Sequence, residues 1–317
     1  MNKTHNLIFV NHPSGQDRRD FEEIGARIEA LAPQIAIYIV PHDADKDACG
    51  LPPDMWTRPT FCVSFQFPEK FNPERGAYYV GRPINKAVQI RRYIDASVPT
   101  PETVAYQFGR PLDPSFWGDY VIIKPTRVDL MSFGDAVYLM RTDRAAETAN
   151  RIFPPNHPAR SEPVLIQRFI DTGPYAESFR VLTLFGEPLY CMKYRQRELR
   201  PSIQDAGDDL LKIPIASTAN RAYDHLMLKD DEVIEFARKA AKAMPAIPLQ
   251  GIDVIREAAT GKLFALECNP GGNTWHFSSE MSAEGRMQLG REERIAQFDA
   301  WDVAADVFIK RVLEEAS

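Results

Sequence analysis

The feature that most restricts how this chain can fold is a pair of short apolar segments, Gly-Ile-Asp253-Val-Ile-Arg and Leu-Phe-Ala-Leu-Glu267-Cys-Asn269-Pro-Gly-Gly, on either side of Thr260-Gly261. Their spacing is that of a β-hairpin. A turn centred on Thr260 sets Asp253 directly opposite Glu267, and because side chains two apart share a face, Asn269 joins them. Ile252, Val254, Phe264 and Leu266 then fall on the other, core-facing side. Two neighbouring carboxylates repel and raise one another's pKa, so an otherwise apolar hairpin that presents both calls for a compensating cation. An all-oxygen ligand set suits magnesium held together with nucleotide phosphates, with manganese as an alternative. A solvated polar face would give the same alternation. What sets this hairpin apart is its end, Asn269-Pro270-Gly271-Gly272, a glycine turn whose backbone can approach a ligand closely.

The 317 residues, 44% apolar and 26% charged, give room for two or three subdomains around real cores. A formal net charge of -6 leaves no broad basic surface, so nucleic acid is not expected as a partner. No apolar run approaches the roughly 20 residues of a membrane span, and the first residues are not followed by a signal-peptide core. No membrane partner and a cytoplasmic location are the expectations. The four cysteines, at 49, 62, 191 and 268, form no C-x-x-C pair, which argues against a zinc knuckle or a disulfide framework. Cys62, Cys191 and Cys268 lie in apolar runs, where a free thiol acts as a small hydrophobe.

Along the chain, residues 6–10, 35–40, 60–64 and 78–80 read as short strands. Between the first two, Ser14 opens a helix with Phe21, Ile24, Ile28 and Leu31 on one face. Residues 1–80 are therefore expected to form a small α/β domain of parallel strands, with 41–59 as loop. A helix over 85–94 is stopped by the prolines of 97–101. Strands follow at 120–124, 137–140 and 164–170, with a helix over 143–151 capped by Thr142. Residues 180–184 and 188–193 make a hairpin, 196–230 is irregular, a helix covers 232–244, and the metal hairpin follows. The last helix, about 293–313, carries Phe298, Trp301, Ala305, Phe308 and Val312 on its buried stripe.

In this order the residues resemble the ATP-grasp superfamily, in particular its carboxylate-amine ligase branch of glutathione synthetases, D-alanine ligases and ribosomal-protein glutamate ligases. The resemblance runs over about residues 80–275. Asn85-Lys86-Ala-Val-Gln followed by Val-Pro-Thr-Pro101 looks like the family's entry helix. Val-Ile-Ile-Lys124-Pro125 looks like its phosphate-lysine strand, Leu-Ile-Gln167-Arg168-Phe169-Ile170 like its adenine hinge, and Ser178-Phe179-Arg180 begins a segment similar to its arginine strand. Asp253, Glu267 and Asn269 occupy its metal positions.

The resemblance implies an α/β (α+β) ATP-grasp fold, divided into an N-terminal Rossmann-like pre-ATP-grasp domain (1–80), a first ATP-grasp subdomain (81–165) and a second (166–317). It implies ATP and magnesium as cofactors. Lys86 and Lys124 would line the triphosphate, the backbones of Arg168 and Ile170 would contact adenine, and Glu177 or Asp171 would contact ribose. Arg180 would stabilise the transferring phosphoryl group, with Lys193 as a second cation. Gln167 and Ser178 stand where acidic residues are frequent in the family, and the loop 126–135 has the single glycine Gly134. Arg200 and Asn220 are further candidates for the site. The loop 271–279 would help to line the substrate pocket. Within it, His276 would orient or deprotonate an amine, and Trp275 and Phe277 would serve as anchors.

The implied reaction joins a carboxylate to an amine through an acyl phosphate, forming ADP. Its partners would be small-molecule or peptide acids and amines, and a homodimer is compatible with it. The alternatives are an ATP-grasp small-molecule kinase and a non-catalytic nucleotide-binding module.

Overall fold

The computed structural model describes residues 2–126, 137–200 and 223–317. The N-terminal strands are β1 (His5–Asn11), β2 (Ile35–Pro41), β3 (Thr60–Ser64) and β4 (Ala77–Val80). They pair in parallel in the order β2-β1-β3-β4. β1 is apolar almost throughout because it is covered on both faces. Leu7 and Phe9 pack with Phe21, Ile24 and Ile28 of α1 (Arg18–Leu31), while Ile8 and Val10 pack with Met55, Cys62 and Phe71 from the opposite side. α1 begins later than the sequence suggested: Asp17, not Ser14, caps it by accepting from the Arg19 N–H, and Leu31 is left exposed. The segment 41–59 is loop broken by two short 3-10 turns.

α2 (Lys86–Asp95) is capped by Asn85 and packs on the strand that carries Glu267, where the Gln89 side chain accepts from the Cys268 N–H at 2.8 Å. A four-stranded antiparallel sheet follows, made of β5 (Thr103–Ala105), β6 (Tyr120–Pro125), β7 (Tyr138–Arg141) and β8 (Val164–Arg168). Its order is β5-β8-β6-β7. Two helices, α3 (Pro114–Trp117) and α4 (Ala145–Ile152), belong to this unit. Thr142 is not the cap of α4. It opens a 3-10 turn, and its hydroxyl lies buried.

The second sheet has five antiparallel strands: β9 (Glu177–Leu184), β10 (Glu187–Gln196), β11 (Tyr223–Met227), β12 (Leu249–Arg256) and β13 (Leu263–Pro270). Their order is β11-β10-β9-β12-β13. β9 and β10 meet at a two-residue turn, where Phe185 and Gly186 both take positive φ, as a tight hairpin of this twist requires. β11 lies inside the stretch read as irregular; strand pairing with β10, rather than its own polar sequence, holds it. α5 (Asp231–Ala241) covers one face of this sheet with Val233, Ala237 and Ala240.

The helix read over about 293–313 is two, α7 (Arg291–Ala296) and α8 (Ala300–Glu315), preceded by the short α6 (Ala283–Gln288). Asp299, in the left-handed region at φ 54°, separates the last two, so Phe298 packs into the α5 core while Trp301, Ala305, Phe308 and Val312 face the other way. α8 wedges between the N-terminal sheet and the five-stranded sheet and ties them through one core. Among the described residues no helix is long and apolar enough to cross a membrane.

Candidate functional site

Asp253 of β12 stands directly opposite Glu267 of β13, and Gly251 opposite Asn269, so the hairpin register matches the sequence reading. The register shifts just past this pair. Val254 faces Ala265, which makes Leu266 the extra residue of a β-bulge. The bulge resets the alternation. Ile252 and Val254 are buried as expected, but Ala265 and Cys268, not Phe264 and Leu266, complete the core face. Leu266 is left half-buried beside Glu267.

Each carboxylate has its own cation. Arg180, opposite Asp253 across β9 and β12, donates from Nε to Oδ1 and from Nη2 to Oδ2, both at 2.7 Å. Asn269 Nδ2 donates to Asp253 Oδ2 at 2.9 Å. Lys86, the first residue of α2, reaches Glu267 Oε2 at 2.5 Å. Burial works to raise the Glu267 pKa, but the ammonium of Lys86, with Lys124 and Arg180 beyond it, holds it down at about 2. Asp253 moves the other way. Its burial and the Glu267 charge beside it outweigh Arg180 and Asn269 and raise it, as expected for two carboxylates that share one site.

Lys124 projects from β6 and is 5% exposed. Its ammonium donates to Gln167 Oε1 at 3.0 Å, and Gln167 Nε2 donates to Thr103 Oγ1 at 2.9 Å. Desolvation, then the neighbouring charge of Lys86, brings its pKa down to about 7, against a smaller upward pull from Glu267. Lys86, Lys124 and Glu267 thus lie within electrostatic reach of one another.

The hinge lies next to this group. Arg168 ends β8 and gives its backbone N–H to Glu102 O at 2.8 Å, so that donor is already used in the sheet. Phe169 and Ile170 lie past the last paired residue. A cleft of about 470 Å³ opens here, lined among others by Phe116, Trp117, Tyr120, Arg168, Phe169 and Asp171. Arg200 closes on the hinge. Its guanidinium pairs with Asp171 and lies 5.2 Å from the centre of the Phe169 ring. The loop 127–136 with Gly134, and Asn220, lie outside the described residues.

Glu177 and Lys193 pair with each other at 2.6 Å, each about a fifth exposed. His276 is buried behind Arg180, stacked on Tyr190 with ring centres 5.6 Å apart, and its Nδ1 meets the Tyr194 hydroxyl at 3.3 Å. Burial and the charges of Arg180 and Arg294 hold its pKa well below the usual value. Trp275 and Phe277 are core anchors. Trp275 stacks on Trp301 and donates to Asp20 at 2.7 Å, while Asn273 alone of residues 273–277 is exposed.

Sequence reasoning passed over Tyr194, whose ring lies 5.7 Å from the Arg180 guanidinium, and Thr103 behind Gln167. The first could have been found by alternation, since on paired β9 and β10 Tyr194 lies near the register of Arg180. β5 is too short for periodicity to mark.

The site suits a hard divalent cation. Asp253, Glu267 and Asn269 offer oxygen donors only, on adjacent strands, with room for phosphate oxygens to supply the rest. Among the described residues no group of three or more acidic, histidine or cysteine side chains gathers as a metal cluster, so the set here is two carboxylates and an amide.

No family model and no curated protein matches the chain. Solved structures do. The macrocyclase MdnC bound with precursor peptide MdnA, from Microcystis aeruginosa MRC, is 12% identical with a TM-score of 0.51, over 97% of this chain and 100% of that one. The ATP-grasp ligase PsnB complexed with minimal precursor is 13% identical at a TM-score of 0.48, over 98% and 100%. The D-alanine–D-alanine ligase of Bacillus anthracis is 11% identical at 0.44, over 96% and 99%. At such identities the likeness is one of fold, and it extends over whole chains. The chain has the overall fold of these solved structures, an ATP-grasp fold.

Proposed function

We propose that the protein is an ATP- and magnesium-dependent ligase that joins a carboxylate to an amine and forms ADP. One observation carries the reading: Lys86, Lys124 and Arg180, from three separate elements, converge on a wall that also holds Asp253, Glu267 and Asn269. A phosphoryl transfer needs such a collection of cations and oxygen ligands, because catalysis there is mostly positioning and charge neutralisation. Magnesium would be held by Asp253, Glu267 and Asn269 and would neutralise charge on the phosphates. Lys124 would hold phosphate oxygens, the Phe169–Ile170 backbone the adenine, and Leu266 would offer an apolar surface to the base. Arg180 would face the oxyanion that forms when the activated acid is attacked.

A carboxylate is too poor an electrophile for an amine until one of its oxygens becomes a leaving group. The γ-phosphate supplies that. The carboxylate oxygen attacks phosphorus, ADP departs, the amine adds to the acyl carbon, and phosphate leaves with the original carboxylate oxygen. The four cysteines do not compete as nucleophiles: Cys62, Cys191 and Cys268 are buried with raised pKa values, and the thiol of the part-exposed Cys49 is also raised, by burial and the charges of Asp45 and Asp43. The test is an acid labelled with heavy oxygen in its carboxylate, which should deliver one labelled atom to the released phosphate. Label absent from phosphate, or AMP and pyrophosphate as products, would overturn the reading. A kinase would release no inorganic phosphate in step with product.

A further inference from the structure

Arg294, in α7, is fully buried. Its Nη1 donates to the backbone oxygen of His276 at 2.5 Å, but Nε and Nη2 have no partner among the described residues. Those two atoms form the same guanidinium edge with which Arg180 holds both oxygens of Asp253. A guanidinium stays charged in any protein environment, and a buried one lacking a counter-charge carries a large desolvation cost.

Among the described residues no carboxylate pairs with that edge. Burial, opposed by the neighbouring Tyr190 and Tyr194 phenols, is the largest influence on Arg294; Arg286 and Glu293 act less, and the Glu293 carboxylate accepts from the Gly290 N–H at 2.9 Å. Arg286 is itself occupied, its Nη1 donating to Ser279 O and Ser282 Oγ. His225, on β11, also has an unpartnered buried nitrogen, Nδ1. His225 Nδ1 and Arg294 Nη2 lie 2.9 and 3.4 Å from one point, the position that a Cβ on Gly285 would take. Burial, then Arg294 and Arg180, lowers the His225 pKa to about 4, so at neutral pH its imidazole is uncharged and has one N–H to donate.

We propose that the Nε and Nη2 edge of Arg294, with His225 beside it, receives a carboxylate of the substrate, distinct from the carboxylate activated next to Arg180. The inference rests on the ligase reading for its substrate, but not for its geometry. The two guanidinium forks are linked through packed side chains. The Tyr194 ring lies 5.7 Å from the Arg180 guanidinium, the Tyr194 hydroxyl meets His276 Nδ1 at 3.3 Å, and the His276 backbone oxygen accepts from Arg294. A substrate that reaches both forks carries two acidic groups, so the class selected is a di-acid. The fork is buried, and the partly exposed His225 ring packs against Gly285 at its edge.

Thermal melts of the nucleotide-free protein test this, with sodium succinate as probe against sodium chloride at equal ionic strength and against inorganic phosphate. Succinate should raise Tm by roughly 2 °C or more in a saturable way, and phosphate by less. Arg294→Met should abolish the succinate shift, leave the melt without succinate no lower, and keep ATP binding unchanged by calorimetry. Should that variant fail to fold, Arg294→Lys keeps the charge but loses the fork, and the succinate shift should fall by at least half. No succinate shift in the wild type, a larger shift with phosphate, or a full shift in either variant overturns the proposal. ADP formation is read separately, so failure of the ligase reading leaves a distinct signature.

Discussion

On the five-stranded sheet every charged side chain of the site has an opposite charge within contact: Arg180 with Asp253, Lys86 with Glu267, Lys193 with Glu177. On the four-stranded sheet Lys124 is more deeply buried, yet its hydrogen-bond acceptor is the neutral Gln167. The first wall balances its own charge. The second holds a cation whose pKa has been driven down to about 7 by desolvation and by Lys86, and it gains from an anion delivered to it. A ligand that brings phosphates and a divalent metal together suits both. Under the proposed function Asp253 and Glu267 would hold the metal, and Lys86 and Arg180 would then be free to meet phosphate oxygens.

The comparison breaks most visibly on the balanced wall. Asp253→Asn or Glu267→Gln removes one charge from the metal set and leaves Arg180 or Lys86 unmatched. Magnesium-dependent turnover is expected to fall by about two orders of magnitude or more, with circular dichroism unchanged. Magnesium titrations of the rate check this, and an unaltered magnesium dependence in both variants would refute the metal assignment.

Lys124 comes next. Lys124→Met should weaken ATP binding by about 10- to 100-fold, the range of a lost charge-assisted hydrogen bond. In the wild type the affinity should decline as pH rises above about 7, because free Lys124 loses its proton there and binding must restore it. Calorimetry in buffers of different ionisation enthalpy would detect that proton uptake. The stability sign is the reverse of an ordinary lysine pair. With the folded pKa below the unfolded one, folding stability rises with pH between about 7 and the unfolded value, and Lys124→Met should stabilise most below pH 7. Equal urea midpoints for variant and wild type at pH 6 would contradict the desolvation argument. A smaller effect belongs to the partly exposed Glu177–Lys193 pair: Lys193→Gln should change the Michaelis constant for ATP by only about 2- to 5-fold.

Much of the metal wall was legible because a strand has a period of two. From Asp253, Glu267 and Asn269 alone, alternation and a turn centre give the register that the strands adopt. The same rule misplaced Phe264 and Leu266, because a bulge adds one residue without any mark in the sequence. Helix ends were blurred for a related reason. Ser14 and Thr142 are good capping residues, but the packing of β1 and β7 decides where each helix begins, and Asp299 breaks the last helix without a glycine or proline to announce it. The charge pairs were beyond reach. That Lys86 would meet Glu267, and Lys193 Glu177, depends on how α2 lies on β13 and on the register of β9 with β10, both set by contacts distant in sequence.

The smallest kinetic effect is expected at His276, which lies behind the balanced wall. Its Nδ1 is engaged with the Tyr194 hydroxyl and its ring is stacked on Tyr190, and its pKa is held well below the ordinary value by burial and by Arg180 and Arg294. A base so weak takes a proton from an amine poorly at neutral pH, since efficient proton transfer needs a pKa near the working pH. His276→Phe keeps the stacking and removes the hydrogen-bond partner. It should leave kcat within about two-fold while costing about 1 kcal/mol of stability at pH 7. Because the folded pKa lies below the unfolded one, the wild type loses stability as pH falls below about 6.5, His276 contributing part of that loss. The phenylalanine variant lacks this part of the loss, so the gap between the two proteins should close or reverse between pH 7 and pH 5 in urea unfolding. A hundred-fold fall in kcat with stability unchanged would instead put His276 in contact with the reacting amine, and the wall behind Arg180 would then be part of the chemistry rather than its support.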